Sequence, residues 1–256
     1  MTSHMNLPQA LFDSLRANFF SDVVSDYGPS KPIVMKGWIL LVLGLLLSRK
    51  IRNYKCARIG LALPPGVAGI LGNLAVLFAG KIPVNLNLTV SKQSMESTLH
   101  EAGVDFMLSA ERVRKKFPEF PWSKHFIDLG ELLAVEKNRK GTLLFTAIRL
   151  FCFPVAVMRK FELNQIGINR KEAVLLFTSG SSSQPKGVVL SDQNILSNCA
   201  QMNALGLFFS KMSLLGNLPL FHSFGLTIGS FFPLLYGLRI VSAPSPLDQK
   251  SSLRAI

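Results

Sequence analysis

Apolar residues fall along this chain in blocks of two lengths. Between residues 31 and 130, runs of strand length alternate with longer stretches such as Pro65–Gly80. That alternation predicts parallel strands joined by crossover helices. Residues 171–248 resume it as strand, loop, strand, helix, strand, helix, strand. Val174–Phe177 has the length and β-rich composition of a buried strand, and Val188–Leu190 takes up the apolar pattern again. Ser191 or Asp192 is placed to cap a helix running to about Leu205. The expected fold class is therefore α/β, with mostly parallel sheets flanked by helices. The expected organisation has a weakly structured leader over 1–30, with a short amphipathic piece around Leu7–Phe20. A first α/β subdomain follows over 31–170, and a second begins over 171–256.

Two greasy segments depart from this rhythm. Gly37–Ser48 runs twelve residues without a charge, too short to cross a bilayer comfortably, and it reads as a core or interfacial helix. Thr142–Met158 is interrupted by Arg149 and Pro154 and bracketed by Arg139, Lys140, Arg159 and Lys160. Pro154 should kink any helix there. A basic-flanked helix of this kind suits either the headgroup layer of a membrane or an ordinary place against a sheet.

The densest chemistry lies between the two apolar runs of the second half. Gly180 and Gly187 allow backbone amides to turn inward around an anion. Thr178, Ser179, Ser181, Ser182 and Ser183 add hydroxyls, and Lys186 adds a mobile point charge beside the rigid Pro185. A Walker-type loop is excluded, since it needs glycine before the lysine and Ser or Thr after it. Here Pro185 and Gly187 hold those positions. A flexible Ser/Gly linker would not ordinarily sit between two strands with a fixed Pro-Lys-Gly. The loop reads as a polyphosphate cradle.

Thr178–Gly187 (TSGSSSQPKG) resembles the signature loop of the adenylate-forming acyl ligases, with Ser183 where that family ordinarily has glycine. Arg58–Pro64, Lys81–Asn87 (KIPVNLN), Leu218–Thr227 (LPLFHSFGLT) and Phe231–Asp248 are similar to further stretches of the same family, in the same order. Within it the resemblance runs to the acyl-[acyl-carrier-protein] synthetase part of the bacterial 2-acylglycerophosphoethanolamine acyltransferases. The likeness spans roughly residues 30–256. It implies part of a large N-terminal domain that turns a fatty acid and ATP into an acyl adenylate, then passes the acyl group to the thiol of coenzyme A or an acyl carrier protein. It places the β- and γ-phosphates in the loop, Mg²⁺ as a bridging ion, and Lys186 against the phosphate charge. His222, Phe224 and Gly225 would border the carboxylate. The family's later motifs are not found before Ile256, so a truncated or split form, inactive alone and completed by a second chain, is expected. The rival expectation is a non-catalytic remnant at a membrane.

Charge and the remaining motifs narrow the partners. The chain carries 28 Lys and Arg against 15 Asp and Glu, a formal +13, which attracts nucleotides, acidic carriers and anionic lipid alike. Arg112–Lys116 (RVRKK) is a short solvated run with no reader motif, so nucleic acid is not an expected partner. Cys56, Cys152 and Cys199 match no metal or redox spacing and suit a reducing, cytoplasmic setting, with the inner face of the cytoplasmic membrane as a peripheral location. His100 and Asp105 match the His-x4-Asp pattern of glycerolipid acyltransferases, in which Asp orients His as a general base. The downstream Phe117-Pro118-Glu119 is followed by Phe120 rather than Gly-Thr and comes too soon after the histidine. The alternative reading of the same stretch is a helix end at Gly103 followed by a strand.

Overall fold

The computed structural model describes residues 5–27, 32–138, 140–167, 170–178, 185–209, 212–243 and Leu253. It opens with helix α1 (Leu7–Ala17), capped by Asn6, whose Oδ1 accepts the Gln9 N–H at 2.9 Å. The Asn6 amide donates in turn to the Ile166 carbonyl at 2.9 Å. Leu7, Leu11, Phe12 and Leu15 are fully or almost fully buried. Strand β1 (Asp22–Asp26) then enters a sheet. The expectation of a weakly structured leader is thus corrected: the amphipathic piece is a core helix, because its apolar stripe is covered by α2, α9 and α11, introduced below.

Strand β2 (Ile33–Lys36) returns antiparallel to β1 and runs into helix α2 (Gly37–Arg52). Leu40–Ser48 of α2 is buried throughout, so the first greasy segment is core. There follow β3 (Arg58–Leu61), α3 (Val67–Phe78), β4 (Ile82–Asn85), α4 (Lys92–Ala102), β5 (Phe106–Ser109), α5 (Glu111–Lys116) and β6 (His125–Asp128). Helices α6 (Leu129–Asn138), α7 (Lys140–Cys152) and α8 (Pro154–Lys160) come next, with Pro154 at the first position of α8. The proline breaks the second greasy segment where its missing N–H is tolerated. The chain continues through β7 (Val174–Thr178), β8 (Lys186–Leu190), α9 (Asp192–Ala204), β9 (Ser213–Leu215), α10 (Ser223–Leu226), α11 (Phe232–Tyr236) and β10 (Arg239–Ser242).

These strands form two sheets. One has the order β6-β5-β3-β4-β7-β8, parallel except for β8; the other has the order β2-β1-β10-β9. Helix α3 touches β3 and β4 of the first sheet and β1 of the second. It is apolar on all sides and buried from Gly69 to Phe78, as a helix enclosed between layers must be. On the other face of the six-stranded sheet a smaller cluster joins Met95 and Ala102 of α4 to Val84, Met107 and Leu175. The expected division at residue 170 does not follow the sheets. Strands β7 and β8 extend the sheet begun by β3–β6, while β1 and β2 share theirs with β9 and β10. Hydrogen bonding between strands distant in sequence decides this, and apolar periodicity carries no record of it.

One buried ion pair fastens the start of α9. Asp192 has no solvent exposure. Its carboxylate accepts from the Arg170 guanidinium at 3.1 and 3.2 Å, the Arg170 N–H at 3.0 Å and the Leu7 N–H at 3.2 Å. Three distant segments meet on a single carboxylate. Ser191 is the cap, one of the two residues the sequence offers for this helix start, and with Asn194 it closes a capping box.

Candidate functional site

Strands β7 and β8 pair antiparallel as a hairpin, with Thr178 opposite Lys186 and Phe177 opposite Gly187. The predicted cradle is the stretch of chain that joins these two strands. Ser179, Gly180, Ser181, Ser182 and Ser183 lie outside the described residues, whereas Thr178, Pro185, Lys186 and Gly187 are described. Between the hairpin and its neighbours is a cavity of about 530 Å³. Its walls are the ends of β4 and β7 (Asn85 to Asn87, Leu176 to Thr178), one side of α4 (Ser94, Met95, Thr98) and the turn before α10 (Phe221 to Ser223). Both β4 and β7 are parallel strands of the six-stranded sheet, and the cavity opens at their carboxyl ends, where open α/β sheets ordinarily bind ligands.

The fold therefore brings Thr178 and Pro185 together with His222, from separate parts of the chain. His222 is the residue before α10, in extended backbone conformation, with its carbonyl accepting the Leu226 N–H at 2.9 Å. Its ring lies 4.6 Å from that of Phe221. Lys186 and Gly187 sit exposed at the start of β8, next to the lining Pro185 and outside the lining itself. Among the described residues no carboxylate forms an ion pair with Lys186. Gly187 donates its N–H weakly, at 3.5 Å, to Glu101 of α4. Phe224 points to solvent and Gly225 is buried, and neither borders the cavity. A Cβ on Gly225 would stand 2.3 Å from the Pro219 carbonyl oxygen, so glycine is what lets α10 start so close to the preceding turn. Its contribution is packing beneath His222.

Residues 44–256 match the sequence family described as AMP-binding enzyme. The chain belongs to that family. Among curated relatives of this AMP-binding chain, the human mitochondrial medium-chain acyl-CoA ligase ACSF2 is 25% identical over 223 residues, which are 78% of this chain and 36% of the ligase. A long-chain-fatty-acid–CoA ligase of Bacillus subtilis is 25% identical over 227 residues, 78% of this chain and 39% of its own length. The chain thus spans little more than a third of these relatives. Two solved structures share the fold. The N-terminal domain of FACL13 from Mycobacterium tuberculosis superposes with TM-score 0.74 at 17% identity, covering 98% of this chain and 60% of that one. O-succinylbenzoate coenzyme A synthetase from Bacillus subtilis, in complex with AMP, gives 0.71 at 19% identity, covering 99% and 59%.

The structure also adds residues of this AMP-binding chain that the sequence reading passed over. Asn85 ends β4 at the cavity and exchanges two hydrogen bonds with the buried Asn73 of α3, at 2.9 and 3.0 Å. Asn73 donates further to the Gly69 carbonyl at 2.9 Å. A fully paired amide couple inside a hydrophobic layer fixes the strand end rigidly. Its signal was available: Asn85 and Asn87 are polar positions after the apolar run Ile82 to Val84. Ser94 and Thr98 carried no comparable mark, because they reach the cavity only through the packing of α4.

His100 lies in the last turn of α4, and Asp105 comes two residues after Gly103, whose backbone is left-handed at φ 58° and stops the helix. Both side chains are exposed, no hydrogen bond joins them among the described residues, and neither borders the cavity. Of the cysteines, Cys152 is exposed, Cys56 is half-buried and Cys199 is buried. Burial pushes the Cys199 thiol up to about 12. Among the described residues no three His, Cys, Asp or Glu side chains converge to hold a metal ion.

Proposed function

We propose that this chain supplies the phosphate-binding portion of an acyl-activating enzyme. A fatty carboxylate attacks the α-phosphate of ATP, an acyl adenylate forms with loss of pyrophosphate, and a thiol then displaces AMP. The observation that carries the reading is the convergence of Thr178, Pro185 and His222 on one cavity, at the carboxyl ends of parallel strands, in a chain of the AMP-binding family. Thr178 offers its hydroxyl to the nucleotide's tail from the cavity wall, and Lys186 offsets charge on departing pyrophosphate. His222 donates to the carboxylate or α-phosphate from the facing wall. Magnesium fits this arrangement as an ion held mainly by phosphate oxygens and water, its usual mode in nucleotide sites.

The acyl acceptor is a thiol of coenzyme A or of an acyl carrier protein. The formal +13 charge supports an acidic carrier, and the notable excess of apolar residues supports a long acyl chain. Because the chain spans about a third of the ligases it resembles, the complete reaction is assigned to it together with polypeptide corresponding to their remainder, continuous or separate. The test is ATP–pyrophosphate exchange with a fatty acid, that remainder being supplied. Exchange that falls about a hundredfold in Lys186→Ala and in His222→Ala supports the site; exchange unaltered by both variants rejects it.

A further inference from the structure

Helix α7 is amphipathic in an unusual sense, with an outward face that is apolar. Leu144, Phe145, Ile148 and Phe151 stand one helical stripe apart and are exposed, while Thr146, Ala147 and Leu150 on the opposite side are buried. The stripe continues up to the proline break in Phe153, 64% exposed, and beyond it in Val155, 60% exposed. It also continues sideways. Phe151 lies 5.9 Å, ring to ring, from Phe20, which is 66% exposed in the turn between α1 and β1. Two segments distant in sequence thus make one apolar surface, of a kind that solvent alone does not favour.

Its charge is one-sided. Residues 137–161 contain six Lys or Arg and no Asp or Glu. The Arg149 guanidinium lies over the Phe145 ring at 5.5 Å, and Arg159 and Lys160 are exposed at the end of α8. The bounding acids are already engaged. Glu136 pairs with Lys50, Glu162 with Arg52, and Asp22, near Phe20, with Lys36. The patch therefore keeps uncompensated positive charge around large apolar side chains.

From this we infer that the α7–α8 face is a docking surface for an anionic lipid bilayer. The aromatic and aliphatic side chains enter the headgroup and upper acyl layer while the cations meet lipid phosphates. Charge selects this occupant over a second copy of the chain, which would set cation against cation. No described helix is long and apolar enough to cross a membrane, so α7 lies along the surface. The inference is independent of the acyl-activating reading, since no residue of α7 or α8 borders the cavity.

Co-sedimentation with vesicles rich in phosphatidylglycerol tests it, beside vesicles of phosphatidylcholine and a Phe145→Glu/Phe151→Glu variant. Both positions are exposed, so circular dichroism should report an unchanged fold. The expected result is binding to the anionic vesicles, roughly tenfold weaker binding to phosphatidylcholine, and loss of binding in the folded variant. A fluorophore on Cys152, exposed at the end of α7, should shift to the blue with anionic vesicles only. A parent protein that stays in the supernatant, or a folded double variant that pellets equally, overturns the inference. So does a dimer, or a complex with an acidic carrier protein, that the double variant abolishes in the absence of vesicle binding.

Discussion

Asp192 is the side chain whose loss should be felt furthest from its own position, because it satisfies α1, the approach to β7 and α9 together. Asp192→Ala should lower stability by about 3 kcal/mol, since it strands a mostly buried guanidinium and two N–H groups; chemical denaturation measures this. Asp26 has the opposite character. Burial raises its pKa above 3.8, against the Val67 N–H, which its carboxylate accepts, and the more distant Arg112. An acid with a raised folded pKa binds more protons folded than unfolded between the two values, so its contribution to stability falls as pH rises through that window. Asp26→Asn removes this titration. Its stability relative to the parent should therefore improve between pH 3.8 and neutrality, and a stability difference that is flat with pH would contradict the assignment. Such roles were only partly legible in the sequence. Asp192 was visible as a helix start, but its ties to Leu7 and Arg170 depend on chain segments meeting in space.

At the scale of elements, the hairpin and the α10 turn carry the candidate site, and their legibility differed. Strands β7 and β8 were readable because a buried-type run, a turn-forming stretch and a second apolar run follow in immediate succession. Helix α10 was readable only as a junction. Gly225 marks it, and Gly225→Ala should displace the turn that presents His222, costing about 2 kcal/mol through overpacking. Thermal unfolding would register that cost, and an unchanged midpoint would refute the close approach to Pro219. The start of the chain departs from expectation for a related reason. An isolated amphipathic stretch with polar neighbours shows its apolar stripe in sequence, while what covers that stripe comes from α2, α9 and α11. Thiol chemistry probes the same packing. At mildly alkaline pH Cys152 should react rapidly, and Cys199, buried with its thiol at about 12, should wait for unfolding.

In the whole molecule, two sheets enclose a helical layer and leave a cavity at the strand ends, with no residue of the apolar, cationic face of α7 and α8 in its lining. The alternation of strands and helices showed the α/β class, and the order of strands in each sheet was beyond it. The two proposals place a cradle for phosphate and a surface for lipid on one scaffold. The cradle is the central claim, and calorimetric titration with magnesium ATP tests it directly. The parent chain and Lys115→Ala, which removes a cation from α5 outside the cavity, should bind equally, while Lys186→Ala should bind about tenfold more weakly or worse. Equal affinity of Lys186→Ala and the parent would contradict the account.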